Sequence, residues 1–149
     1  MKKLLLIVCS LLFSFNLLGQ ILKPVKWSYA TKKLTNKEAV VFIKATIDGG
    51  WHIYSVYQKA GGPIKTAITF LHSKQYVLFG KIIEPNPVIS FEPSFGINVS
   101  YFEKSVIFQQ KIKLKTKGEA TIKGNINFMV CNSEKCLPPE DVMFVIPVK

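Results

Sequence analysis

Apolar and polar residues alternate along most of this chain instead of recurring at helical spacing. The clearest case is residues 105–115, where Val106, Phe108, Ile112 and Leu114 share one face and Lys111, Lys113 and Lys115 the other. A turn at Thr116-Lys117-Gly118-Glu119 leads into residues 120–131. There Ile122, Ile126, Phe128 and Val130 point one way, and Thr121, Lys123, Asn125 and Asn127 the other. The two segments read as a β-hairpin with one wet side. Further strands are expected at residues 39–47, 51–57, 66–72, 76–83 and 142–148, with a weaker one at 25–30. No segment has the pattern of a long amphipathic helix. Seven or eight short strands, broken by Asp48-Gly49-Gly50 and Gly61-Gly62-Pro63, predict an all-β fold: an immunoglobulin-like sandwich of two antiparallel sheets, with a barrel as the alternative.

Residues 84–99 break this rhythm. They hold Pro85, Pro87 and Pro93, yet also Phe91 and Phe95 beside Gly96, and read as a long loop of the kind that carries function or moves. The first nineteen residues break it differently. Lys2 and Lys3 precede an apolar run that reaches Leu17-Leu18-Gly19, the order of charge and hydrophobicity in a secretory signal peptide. Ser10, Ser14 and Asn16 interrupt the run, which falls short of the roughly 20 apolar residues of a spanning helix. Cleavage is expected after Gly19, taking Cys9 with it. Residues 20–149 then form one domain, exported to the periplasm or beyond, with no membrane span of its own.

Composition supports a single folded unit: 149 residues of which 48% are hydrophobic and 19% charged exclude a disordered linker. The formal charge of +11 raises the question of nucleic acid. All twenty basic residues are Lys, however, and the forked guanidinium that reads phosphates and guanine edges is absent from the sequence. Nucleic acid is therefore not an expected partner, and the lysine stripes read as a solvated face that discourages edge-to-edge aggregation.

Two cysteines remain after the leader, Cys131 and Cys136, separated by Asn132-Ser133-Glu134-Lys135 and followed by Leu137-Pro138-Pro139. Four residues are a common hairpin connection, and cysteines that close one lie opposite each other, where a bond forms with little rearrangement. Strict alternation puts Cys131 on the polar face of its strand, with Asn125 and Asn127, and so partly within reach of solvent. Closing so short a loop removes little entropy from the unfolded chain, about 2 kcal/mol. The spacing alone leaves a structural staple and a redox couple equally open. Zinc is a distant third, since only His52 and His72 could complete a ligand set and neither has ligand spacing.

Phe128-Met129-Val130-Cys131, four residues, then Cys136-Leu137-Pro138-Pro139 resembles the active-site segment of the N-terminal periplasmic domain of the thiol:disulfide interchange protein DsbD, a family also described as a disulfide bond corrector domain. Gly50-Trp51-His52-Ile53-Tyr54-Ser55, with Gly61-Gly62-Pro63 after it, is similar to the same family's early signature. The resemblance covers most of residues 24–148. It implies an immunoglobulin-like sandwich that takes electrons from a membrane electron transporter through a thioredoxin-like domain and passes them to oxidised periplasmic thiol proteins. No cofactor is implied beyond the cysteine pair. Carried onto this chain, Cys136 forms the mixed disulfide with a partner and Cys131 resolves it. Phe95 matches the aromatic of a cap loop that shields the pair, although Pro93 and Ser94 stand where acidic residues are common. Because the sequence ends at Lys149, the transporter and thioredoxin-like proteins are expected to be separate partners. The rival reading is a non-catalytic secreted sandwich with a permanent disulfide. Trp51 and Tyr54 read as core and sheet aromatics, and His52 as a structural or solvent-facing histidine, not a thiol activator.

Overall fold

The computed structural model describes residues 22–116 and 119–148. The expected leader at residues 1–19 and the turn residues Lys117 and Gly118 lie outside the described residues. Alternation becomes pairing in eleven antiparallel strands: β1 (Val25–Lys33), β2 (Glu38–Ile47), β3 (His52–Tyr54), β4 (Ala67–Phe70), β5 (Tyr76–Ile83), β6 (Val88–Glu92), β7 (Ile97–Glu103), β8 (Ser105–Leu114), β9 (Ala120–Phe128), β10 (Val130–Cys131) and β11 (Glu140–Val148). Among the described residues no helix forms. The strands order as β1-β2-β8-β5, β11-β9-β4 and β10-β3-β7-β6 in three sheets.

The core lies where the inner faces of these sheets meet. Val41, Ile43, Phe108 and Ile112 come from the first sheet, Ile122, Ile126, Phe128 and Phe144 from the second, and Ile53, Phe102 and Val130 from the third. Trp27 of β1 bridges across, its ring 5.2 Å from Phe128 and 6.4 Å from Phe108. Burying these side chains, at about 25 cal/mol per Å² of apolar surface, is the main favourable contribution to folding.

Expectations about strand pairing, number and extent are corrected. Residues 105–115 and 120–131 are strands with the expected faces, but they do not form a hairpin. β8 pairs with β2 and β5, whereas β9 pairs with β11 and β4. One buried and one wet face suit two strands in facing sheets as well as two neighbours in one sheet, and the connection is long enough to span the roughly 10 Å between sheets. Nor is residues 84–99 a long loop: β6 pairs with β7 from Val88↔Tyr101 to Glu92↔Ile97 around a turn at Pro93–Gly96. As an edge strand preceded by Pro85 and Pro87, β6 buries neither face, so it has no alternation to detect. The count of seven or eight strands rises to eleven because short pieces such as β3 and β10 carry their own pairings. The strand expected at 51–57 shrinks to His52–Tyr54 before the chain turns at Ser55–Gln58.

The third sheet is built from continuations of the other two. The chain passes from β7 into β8 at Lys104, which takes φ 61°, and from β9 into β10 at Met129. That second crossing delivers Cys131.

Candidate functional site

Cys131 ends the two-residue strand β10, which pairs with β3 as Val130↔Ile53 and Cys131↔His52. After it the chain reverses. Asn132 N–H donates to Lys135 O at 2.9 Å and Leu137 N–H to Val130 O at 2.9 Å, which brackets Cys131 and Cys136 as a directly opposed pair. No hydrogen bond joins the two residues themselves, and in this narrow type of pair the Cα atoms come closest. They stand 4.0 Å apart, and the sulfurs are bonded. The reversal is held by Asn132 Oδ1, which accepts from the N–H groups of Glu134 and Lys135 at 2.9 and 2.8 Å. An Asx side chain doing the work of a backbone acceptor explains why a polar four-residue link turns so tightly.

Access is divided unequally between the two sulfur-bearing residues. Cys131 is 2% exposed, while Cys136 is exposed. The expectation that Cys131 is partly accessible is thereby corrected, although its phase is as expected. Val130 faces the core, and Cys131 faces the side that Asn125 and Asn127 present to solvent further back. At Met129 the strand changes sheets, and the same face is now covered by Tyr54 and Val99 with Ile97, Tyr101 and Met129 packed around them. Beyond Cys136, Leu137 packs on the main core, and Pro138 and Pro139 offer no N–H to extend a ladder.

The polar groups on this face come from β3 and the β6–β7 hairpin. His52 Nε2 lies 3.1 Å from Tyr54 Oη, and the His52 ring lies 4.7 Å from that of Tyr101. Burial holds the His52 pKa below its ordinary value, against the upward pull of the Glu103 and Glu92 carboxylates. Burial, followed by the charge of Glu92 and the neighbouring Tyr101, pushes the Tyr54 hydroxyl up to about 12. Tyr54 is therefore a neutral hydrogen-bonding group throughout the physiological range.

Phe95 sits in the turn of the β6–β7 hairpin, 45% exposed, where Gly96 at φ +67° closes the bend through its N–H to Glu92 O at 2.9 Å. This hairpin also supplies Val99, Ile97 and Tyr101, which cover Cys131. Its base is tied to the turn that follows β3 by Glu84, which lies between β5 and β6. The Glu84 carboxylate accepts the Ser55 hydroxyl at one oxygen and the Val56 N–H at 3.0 Å at the other. Removing a carboxylate with two partly buried donors leaves both unmet. Glu84→Ala is accordingly expected to cost about 2 kcal/mol, read from the urea midpoint. A midpoint unchanged from wild type would show that the tie bears no load.

His52 lies in β3, and His72 is exposed in the link between β4 and β5, outside any sheet. Among the described residues no three His, Cys, Asp or Glu side chains converge as a metal site. Trp51 packs on the main core, and Tyr54 is buried. Sequence reading missed Glu84, Glu92, Tyr101 and Glu103. Their association with Cys131 depends on register between distant strands, which no local pattern records.

The family described as thiol:disulfide interchange protein DsbD, N-terminal, matches residues 20–147. No curated protein matches the chain. The N-terminal periplasmic domain of ScsB from Proteus mirabilis superposes with a TM-score of 0.62 at 17% identity, over 84% of this chain. The chain spans 47% of that structure's length. The DsbD N-terminal domain of Neisseria meningitidis in its reduced form gives 0.51 at 14% identity, over 79% of this chain and 82% of that one. The complex between the DsbD N-terminal and PilB N-terminal domains of Neisseria meningitidis gives 0.55 at 13% identity, over 85% and 88%. At such identities the likeness is one of fold, and the fold is all-β and immunoglobulin-like.

Proposed function

The chain belongs to the family of the DsbD N-terminal domain, and on that premise we propose that it is an exported thiol-disulfide interchange protein whose redox pair is Cys131 and Cys136. The observation that carries the reading is the unequal burial of one bond: Cys136 is open to a visitor and Cys131 is covered. A donor thiolate can reach Cys136 Sγ, and the electron pair of the broken bond then goes to Cys131 Sγ. A second donor thiol resolves the mixed disulfide and leaves both cysteines reduced. In delivery the steps run backwards: Cys136 thiolate attacks an oxidised protein, and Cys131 attacks Cys136 to release it.

The implied partners are thioredoxin-like proteins and a membrane electron transporter, reached after cleavage of the leader at Gly19. Phe95, at the tip of the hairpin that covers Cys131, is proposed as the cap that shields the pair between encounters.

The test is the reduction potential of the pair, titrated against glutathione. An exchanging pair is expected between about −180 and −270 mV. A potential below about −300 mV would make the bond a permanent staple and the protein a non-catalytic sandwich.

A further inference from the structure

We propose that His52 is the proton acceptor for Cys131, the middle member of a thiol, imidazole and carboxylate row completed by Glu103; this rests on the reading of Cys131 and Cys136 as a redox pair. The row is a consequence of register across three strands. Cys131 of β10 stands opposite His52 of β3, and His52 stands opposite Glu103 of β7. Directly opposed residues in an antiparallel sheet project to the same face, with Cβ atoms about 4.5 to 5.5 Å apart. His52 therefore stands between Cys131 on one side and Glu103 on the other, on one face of the sheet.

The ring is oriented by two further contacts. Tyr54 Oη engages Nε2 at 3.1 Å, and the Tyr101 ring lies 4.7 Å away, so Nδ1 is the nitrogen assigned to the thiol in this proposal. The titratable and charged groups around His52 are Cys131 of β10, Tyr54 of its own strand, Tyr101 and Glu103 of β7, and Glu92 at the end of β6. Burial keeps the imidazole neutral at pH 7 and able to accept, while Glu103 and Glu92 favour the imidazolium once the proton has arrived.

Cys131 needs such a group because of where it lies. Only 2% of it is exposed, so solvent water cannot readily take its proton, and an unaccompanied thiolate there is costly. In delivery, Cys136 is already joined to the acceptor protein. The Cys131 thiol passes its proton to His52 as its sulfur attacks Cys136 Sγ. The intramolecular disulfide forms, the bond to the acceptor breaks, and the electron pair leaves with the acceptor's thiolate. The acceptor is reduced and the cysteine pair oxidised. His52 returns the proton to solvent, or to Cys131 when a donor thiol next opens the bond.

The reduced protein mixed with 5,5′-dithiobis(2-nitrobenzoate) separates the two sulfurs. Attack by Cys136 releases one thionitrobenzoate in a phase that depends on reagent concentration. Closure by Cys131 releases a second in a first-order phase that does not. His52→Phe is expected to leave the first phase within twofold and to slow the second about 10²-fold at pH 7. The wild-type second phase should hold level down to a pH below the ordinary imidazole range and fall beneath it, where His52 is already protonated. In His52→Phe it should instead climb through the thiol range, above about pH 8. His52→Gln, which keeps a polar side chain of similar length, should give the same shifted profile and serves if the Phe variant does not fold. Second-phase rates and pH profiles unchanged in both variants would overturn the role of His52. A wild-type protein that releases no second thionitrobenzoate would overturn the redox-pair reading itself, and this inference with it.

Discussion

Cys136→Ser is expected to abolish exchange with an oxidised thioredoxin altogether, whereas Cys131→Ser is expected to stop it halfway, as a covalent adduct visible on a non-reducing gel. The asymmetry follows from where the two residues lie. Cys136 is the exposed partner, so its loss removes the only sulfur of the pair that another protein can meet directly. Cys131, 2% exposed beneath Tyr54 and Val99, cannot take over that role. When Cys131 is the one removed, the exposed thiolate still attacks, but the intramolecular thiol that would release the partner is missing. The adduct should dissolve on adding dithiothreitol and should not form with the double Ser variant. Equal adduct formation by both single variants would mean that the cover over Cys131 opens freely, and the proposed division of labour would fail.

The alternating faces of β8 and β9 could be read directly, because each of these strands has one buried face and sequence periodicity records burial. The opposition of Cys131 and Cys136 was also legible, since a four-residue polar link and two flanking strand segments fix the geometry locally. What could not be read is anything decided by pairing at a distance. β8 and β9 sit in different sheets, although nothing in their periodicity says so. β6 was hidden because an edge strand with both faces exposed has no period to find. The cover over Cys131 escaped for a related reason. Its strand keeps one phase from Asn125 to Cys131, and only the crossing at Met129 turns the wet face into a covered one. His52 reads as a structural or solvent-facing histidine for as long as its neighbours on β10 and β7 are unknown.

Gly124→Ala is the substitution expected to weaken the fold most for the smallest chemical change. Gly124 lies in the middle of β9, between Phe144 of β11 and Phe70 of β4. A Cβ at this position would stand 2.2 Å from Thr69 O and 2.3 Å from the Phe144 ring. On an open strand the same change would stabilise by about 0.4 to 1 kcal/mol, through a less flexible unfolded chain. Here overpacking wins. The carbonyl belongs to paired backbone, and the Phe144 ring is 2% exposed and wedged 5.5 Å from Phe70 and 5.7 Å from Tyr29. A cost of about 3 kcal/mol is expected, the upper end for an added methyl group, with a Tm lower by about 10 °C. Phe144→Ala alone should cost about 3 to 5 kcal/mol through the cavity it leaves. The double variant should cost less than the sum, because the new methyl group occupies space that the ring has vacated. Simple additivity would locate the whole clash at the Thr69 carbonyl, and a Gly124→Ala protein within about 0.5 kcal/mol of wild type would refute the packing account. Below its lowered Tm this variant should still exchange thiols at the wild-type rate, because Gly124 lies on the far side of the Met129 crossing from the pair it helps to support.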